Sequence, residues 1–473
     1  MSGDEANEPP RSGRLADYLC LGVVSRIYRR DLVDEVIAET RSKEKRNRLL
    51  PARLVAYYVI ALALFFGEAY EEVMRKMVGG LRFVCAWERG WHVPSPSALC
   101  QARQRLGEAP LRRLFQRAAA PLATPATIGA WLGSWRLMAV DGVTLDVPDT
   151  ADNEAAFGRP GARTAQGGAF PQARLVGLGE CGTHAVIAAE IGAIRTGERE
   201  LAQGVLAACE AGMLITFDRG FYSYAFLTQA RATGADLLFR VTASLKLPVL
   251  TRLPDDSYLS AVTPKGVGAP TTLGQARWLA ATGQAVIVRV VEYQIPDRDS
   301  DQTYRLITTI TDWESALAPD LAAAYHQRWE FEIALDEIET HQIAHSRVLR
   351  SKSAEMVRQE IWEILLAHYA IRALMVDAAH DADIDPDRLS FIRSLRVIRR
   401  EADGSADFPP HHSNNDARRR VIDEILAYPN RNRRDRAYPR VIKRYGPCHR
   451  PIKRPNHQEI RYQGPPTIEI TAA

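Results

Sequence analysis

Cysteine is scarce in this chain: six residues in 473, scattered and with no CxxC pair. That argues against a disulfide framework and against a paired-cysteine zinc site. One CxxH pair (Cys181, His184) and one HxxxH pair (His341, His345) exist, but far apart, so zinc is not the expected reading. Long apolar runs are also missing. The longest, Leu54 to Phe66, has 13 residues, short of the about 20 that a spanning helix needs, and reads as a buried core helix. No membrane partner is expected. The opening MSGDEANEPPRSGR lacks the apolar stretch of a secretory signal, so a reducing cytoplasm is the expected compartment. Nor does one sign of charge dominate: 61 Lys+Arg face 57 Asp+Glu, a net of +4, which neither demands nor excludes a polyanionic partner. With 46% hydrophobic and 25% charged residues the chain has the balance of an ordinary globular protein of two or three domains.

What is present falls into segments of different periodicity. Residues 1–14 read as a disordered tail. From 15 to 125 the spacing is helical, with Ser95 and Ser97 as candidate caps. Around Trp135 the texture changes: RLMAVDGVTLDVPDT, ARLVGLGEC and HAVIAAEIGAI alternate as strands, then helix and strand alternate through ADLLFRVT. Three hairpin-like strands followed by alternating helices and strands predict a mixed α/β sheet over 130–242, resumed at 303–380. Between them, 243–302 reads as a β-rich insertion. A long helix is expected from about Ala316 to Gln342. In the last segment, 381–473, residues 418–461 carry 14 Lys/Arg against four acids, interleaved with tyrosines. That stretch, with Arg440, Lys443 and Arg444, suits phosphate contacts. The remainder of the molecule is then mildly acidic.

Three acids stand out by context. Asp141 ends an apolar strand in MAVDGV, and Asp218 repeats the pattern in LITFDRGF; strand ends are where open α/β sheets place chemistry. A third lies on YHQRWEFEIALDEIETHQ. At 100° per residue, Tyr325, Arg328, Glu332, Asp336 and Glu339 share a sector of roughly 80°, whereas Glu330 points away. Glu332 is therefore the preferred partner of the two aspartates. Three such carboxylates can hold Mg²⁺ or Mn²⁺, and a metal pair can activate water at a phosphodiester.

These motifs resemble the DDE transposases of the IS-four group of bacterial insertion sequences. The group's third-acid motif is Tyr-x2-Arg-x3-Glu-x6-Lys; here it reads Tyr325, Arg328, Glu332 and Glu339, an acid standing where the group has Lys. The N-terminal helical region, from Leu15 to about Phe83, is similar as well. The resemblance implies an RNase H-like α/β fold with a β-rich insertion, preceded by an α-helical N-terminal domain. It also implies cut-and-paste transposition by two-metal phosphodiester hydrolysis and strand transfer. Asp141, Asp218 and Glu332 would be the catalytic metal ligands, with Tyr325 and Arg328 on transposon-end phosphates. Arg219 and Trp329 are further DNA contacts by position, and Tyr304 a ring that could stack on a flipped base. Implied partners are double-stranded DNA, as transposon ends and target, and a second copy of the chain in a homodimer on DNA, in a nucleoid-associated cytoplasmic setting. Two alternatives stay open: a decayed end-binding repressor, prompted by Glu339, and a metal-dependent nuclease without strand transfer.

Overall fold

The run Leu54–Phe66 folds as expected: it forms most of a helix buried on every side, because no face of it carries a charge. The computed structural model describes residues 24–46, 49–79, 93–161, 170–295, 303–343, 348–404, 414–430 and 467–471. After a single helical turn, Val24–Ile27, the described residues form α1 (Arg30–Glu39), α2 (Ala52–Leu64), α3 (Tyr70–Gly79), α4 (Pro96–Leu106) and α5 (Ala109–Ala118). Of the two candidate caps only Ser95 acts, its side chain accepting from Ala98 N; Ser97 lies inside α4.

The second part follows as β1 (Trp135–Asp146), α6 (Ala151–Phe157), β2 (Gln172–Glu180), β3 (Val186–Ala193), α7 (Glu198–Val205), β4 (Met213–Phe217), α8 (Tyr224–Arg231) and β5 (Asp236–Arg240). It continues with β6 (Thr251–Arg252), β7 (Tyr258–Val262), α9 (Leu273–Ala281), β8 (Val286–Gln294), β9 (Tyr304–Thr308) and α10 (Ala318–Asp336). A π-helical turn, Glu337–Gln342, prolongs α10. After it come α11 (Ala354–Asp381), α12 (Phe391–Gly404), α13 (Asn414–Leu426) and β10 (Glu469–Ile470).

Strands order as β3-β2-β1-β4-β5-β9-β8-β7-β6, with β10 beside β8. β1 to β3 are antiparallel, while β1, β4 and β5 run parallel. This is the expected RNase H-like sheet. Strands β6 to β8 do not form a sheet of their own: they extend the same sheet through β9, and α9 lies on them over a small core of Ala261, Ala276, Leu279 and Ala285. Composition revealed the strands of this stretch but not their continuity.

Helix α11 joins the two parts. It is buried along most of its length, and the N-terminal helices bond to it directly. Tyr28 donates to Leu366 O (2.6 Å), and Trp362 donates to Glu108 Oε1 (2.9 Å). The buried Arg103 donates to Gln359 (3.0 Å) and Glu363 (3.3 Å). The basic C-terminal stretch begins as ordered helix: Val421, Ile422 and Ile425 of α13 are buried, and Arg418 pairs with Asp377 and Asp381 of α11. The tail 1–14 and Arg440, Lys443 and Arg444 lie outside the described residues. Among the described residues no helix is long and apolar enough to cross a membrane.

Candidate active site

Two glycines determine how near α10 comes to the sheet. In register, Asp141 of β1 faces Gly177 of β2 and Ala139 faces Gly179, so all four lie on one face. The ring of Phe331, fully buried, lies on that glycine floor: a Cβ at Gly179 would sit 2.9 Å from its Cζ and closer still to two other ring carbons. Helix α10 thus brings Glu332, the next residue, over this face; Asp141 does not end its strand as expected, since β1 runs on to Asp146 with β2 the only strand paired to it beyond Val140. The parallel pairing Val140↔Phe217 sets Asp141, within β1, beside Asp218, the first residue past β4.

Two helix side chains tie the acids together. Arg328 donates to Asp141 Oδ2 (2.6 Å) and to Glu332 Oε1 (2.6 Å), and Tyr325 donates to Asp218 Oδ1 (3.3 Å). Burial pushes the Asp141 carboxyl up to about 6; Arg328 and the Gly142 N–H oppose this, and Glu332 and Asp218 add to it. Burial also raises the Tyr325 phenol to about 12, keeping it a donor. For Arg328, burial works against the charge, but Tyr325, Asp141 and Glu332 overcome it and raise the guanidinium above its usual value. Carboxylate oxygens are the donor type a hard divalent cation takes; here the three acids are linked through Arg328 and Tyr325 and do not themselves converge within 4.8 Å.

Other sequence candidates fall differently. Trp329 is exposed at 43%, and Arg219 is exposed beside Asp218 with no ion pair among the described residues. Tyr304 is a correction. Its ring is buried, stacked on Tyr293 (5.1 Å) and set edge-on to His326, so the faces a base would need are taken. Glu339 is exposed on the π-helical turn. A residue overlooked in the sequence is Arg240, the last of β5. Its guanidinium lies over Tyr304 (4.6 Å) and near enough to Tyr325 to oppose the rise of that phenol. Its place at the end of the strand after Asp218 was the available signal.

Glu330 points away from the acids, as the helical projection requires. It meets His184 Nε2 (2.9 Å), which Asp387 also approaches (3.2 Å). These three could geometrically hold a metal. The hydrogen pattern opposes it: Nε2 faces two carboxylates, Glu330 and Asp387, and the hydrogen it offers them occupies the lone pair a metal would need. Burial and Arg372 lower the ring's proton affinity, yet Asp387 and Glu330 prevail and raise it to about 10. Arg372 also pairs with Glu337, which accepts from His368 (3.2 Å) as well. The cluster is a buried ionic bolt joining α10 to α11 and to the β2–β3 turn.

Residues 135–370 match the family described as Transposase DDE domain, and residues 19–116 match Insertion element 4 transposase N-terminal. The chain belongs to the insertion element 4 family of DDE transposases. Its relatives include transposase InsG for insertion sequence element IS4 of Escherichia coli (strain K12), 28% identical over 423 residues, covering 87% of this chain and 90% of the relative. The putative transposase InsZ of the same organism is 29% identical over 191 residues, 40% of this chain and 61% of its own. A solved piggyBac transposase synaptic complex with hairpin DNA is similar at a TM-score of 0.42 and 10% identity, covering 85% and 84% of the two chains. This transposase acts on DNA, and its DDE domain implies a divalent metal.

Proposed function

We propose that this transposase cuts and joins DNA at the site formed by Asp141, Asp218 and Glu332, with Mg²⁺ or Mn²⁺ as the metal. The observation that carries this reading is the joining of all three acids through Arg328 and Tyr325. Bound divalent ions supply activation of the attacking water and charge for the leaving oxygen. The chain's own residues do the rest. Asp141 and Asp218 fix two ligand directions, one from within β1 and one from just past β4, and Glu332 adds a third from α10. Tyr325, buried and protonated, donates, and Arg328, Arg219 and Arg240 provide cations for the phosphates on either side of the scissile bond. Trp329, exposed next to Arg328, offers a stacking face. Glu339 places an acid where the family motif has Lys.

In this reading residues 15–125 and the basic segment 418–461, with Arg440, Lys443 and Arg444, hold the element ends. The RNase H-like domain comprises 130–242 and 303–380, 243–302 is its insertion, and 381–473 is the C-terminal region. Two copies pair on DNA in a nucleoid-associated cytoplasmic setting. The exposed Glu339 favours one competing reading, an end-binding protein that no longer cuts. A duplex bearing the terminal sequences that flank the gene separates them. With Mg²⁺ the wild type is expected to cleave it and join it to a supercoiled plasmid, and Asp141→Asn and Glu332→Gln to do neither while still binding. Binding without cleavage by the wild type would overturn the enzyme reading, and cleavage without joined product would leave a nuclease.

A further inference from the structure

Arg328 engages the oxygens that a metal would use. Of Asp141, Oδ2 accepts from Arg328 (2.6 Å) and Oδ1 from the Gly142 N–H (2.8 Å), so each oxygen already has a donor; Glu332 Oε1 accepts from the other Arg328 nitrogen (2.6 Å). A cation and this guanidinium therefore compete for one set of lone pairs. A second observation points to what could move it. The Nε–H of Arg328 is buried without a hydrogen-bond partner, a donor left unsatisfied although the side chain is only 12% exposed. Such a donor costs about 1–3 kcal/mol. A phosphodiester offers two non-bridging oxygens that share one negative charge, a pair the planar guanidinium can grip with two parallel N–H bonds.

We propose that Arg328 gates metal loading by DNA. Bridging Asp141 and Glu332, it weakens their hold on a divalent cation; a DNA phosphate draws the guanidinium off and satisfies its Nε–H, and the released carboxylates bind metal tightly. The two ligands then reinforce each other, and by linkage each tightens the other by the same factor. Metal would be recruited where DNA is in place. The proposal rests on the reading of Asp141, Asp218 and Glu332 as the metal ligands.

The test is Mn²⁺ binding by the full-length protein, read from the free-ion EPR signal, with and without an element-end duplex whose own Mn²⁺ uptake is subtracted. Wild type is expected to bind Mn²⁺ roughly tenfold more tightly with the duplex, within the usual span of coupling between sites. Arg328→Gln is expected to bind tightly without DNA and to change by less than about twofold when the duplex is added. Arg328→Lys, which keeps the charge but lacks the rigid planar fork, should fall between. A wild-type affinity indifferent to DNA, or an Arg328→Gln response equal to wild type, overturns the gate. Asp141→Asn reports on the underlying assignment separately: unchanged Mn²⁺ stoichiometry in that variant would overturn the ligand set itself.

Discussion

Gly179→Ala should damage the active site without touching a polar group in it. The added Cβ would lie 2.9 Å from Phe331 Cζ and still closer to Cε2 and Cδ2. Carbon atoms rest about 3.5–4.0 Å apart, so the ring must retreat by roughly 1.5 Å. It has little room, because Phe331 is fully buried and a Cβ at Gly177 would already be 3.2 Å from its Cζ. The strain passes to α10 and hence to Glu332, one residue on. Overpacking of this kind costs about 1–3 kcal/mol, and a shift near 1 Å in a catalytic group can reduce turnover about 100-fold. The assay is metal-dependent cleavage of an end duplex beside a urea unfolding curve. Gly177→Ala, with its nearest contacts at 3.2 and 3.3 Å, should lose markedly less of both. Truncating the obstacle, in Gly179→Ala/Phe331→Ala, should recover part of the cleavage lost in the single glycine variant. Wild-type melting and cleavage in Gly179→Ala would refute the account of how α10 is seated.

Other expectations concern the buried charges and the strand-end arginine. Arg103→Met takes from the fully buried Glu363 the nearer of its two arginines, leaving Arg350 at 3.9 Å, and should cost about 1–3 kcal/mol in urea unfolding; Arg103→Met/Glu363→Gln should recover part of it. The His184 ring, raised in the folded state from its ordinary 6.5 to about 10, gives stability that is complete below pH 6.5 and is lost progressively as pH rises from there to about 10. The wild-type urea midpoint should thus fall between pH 6.5 and 9.5, by up to about 1.4 kcal/mol per pH unit, more steeply than that of His184→Gln; parallel slopes would remove the imidazolium from the bolt. Arg240→Ala should weaken end-duplex binding and reduce the salt dependence of that binding by about one charge, whereas Tyr304→Ala, acting from the core, should lower stability and leave the salt slope unchanged.

The sequence by itself determined what depends on near neighbours. Helical period separated Glu332 from Glu330 two residues away, and in the structure one meets Arg328 and the other meets His184. Alternation marked the strands, and the apolar run marked α2. The absence of a cap at Ser97, the continuity of β6 to β8 with the main sheet, and the burial of Tyr304 were settled only by packing. Gly177 and Gly179 look like ordinary strand glycines until Phe331, more than 150 residues later, is laid on them. The bolt of His184, Glu330, Glu337, Arg372 and Asp387 draws on segments whose local patterns give no hint of one another. Periodicity reports which way a residue faces on its own element. Which element it then meets, and whether its charge is buried or paired there, depends on contacts between distant parts of the chain, and only the folded structure brings those together.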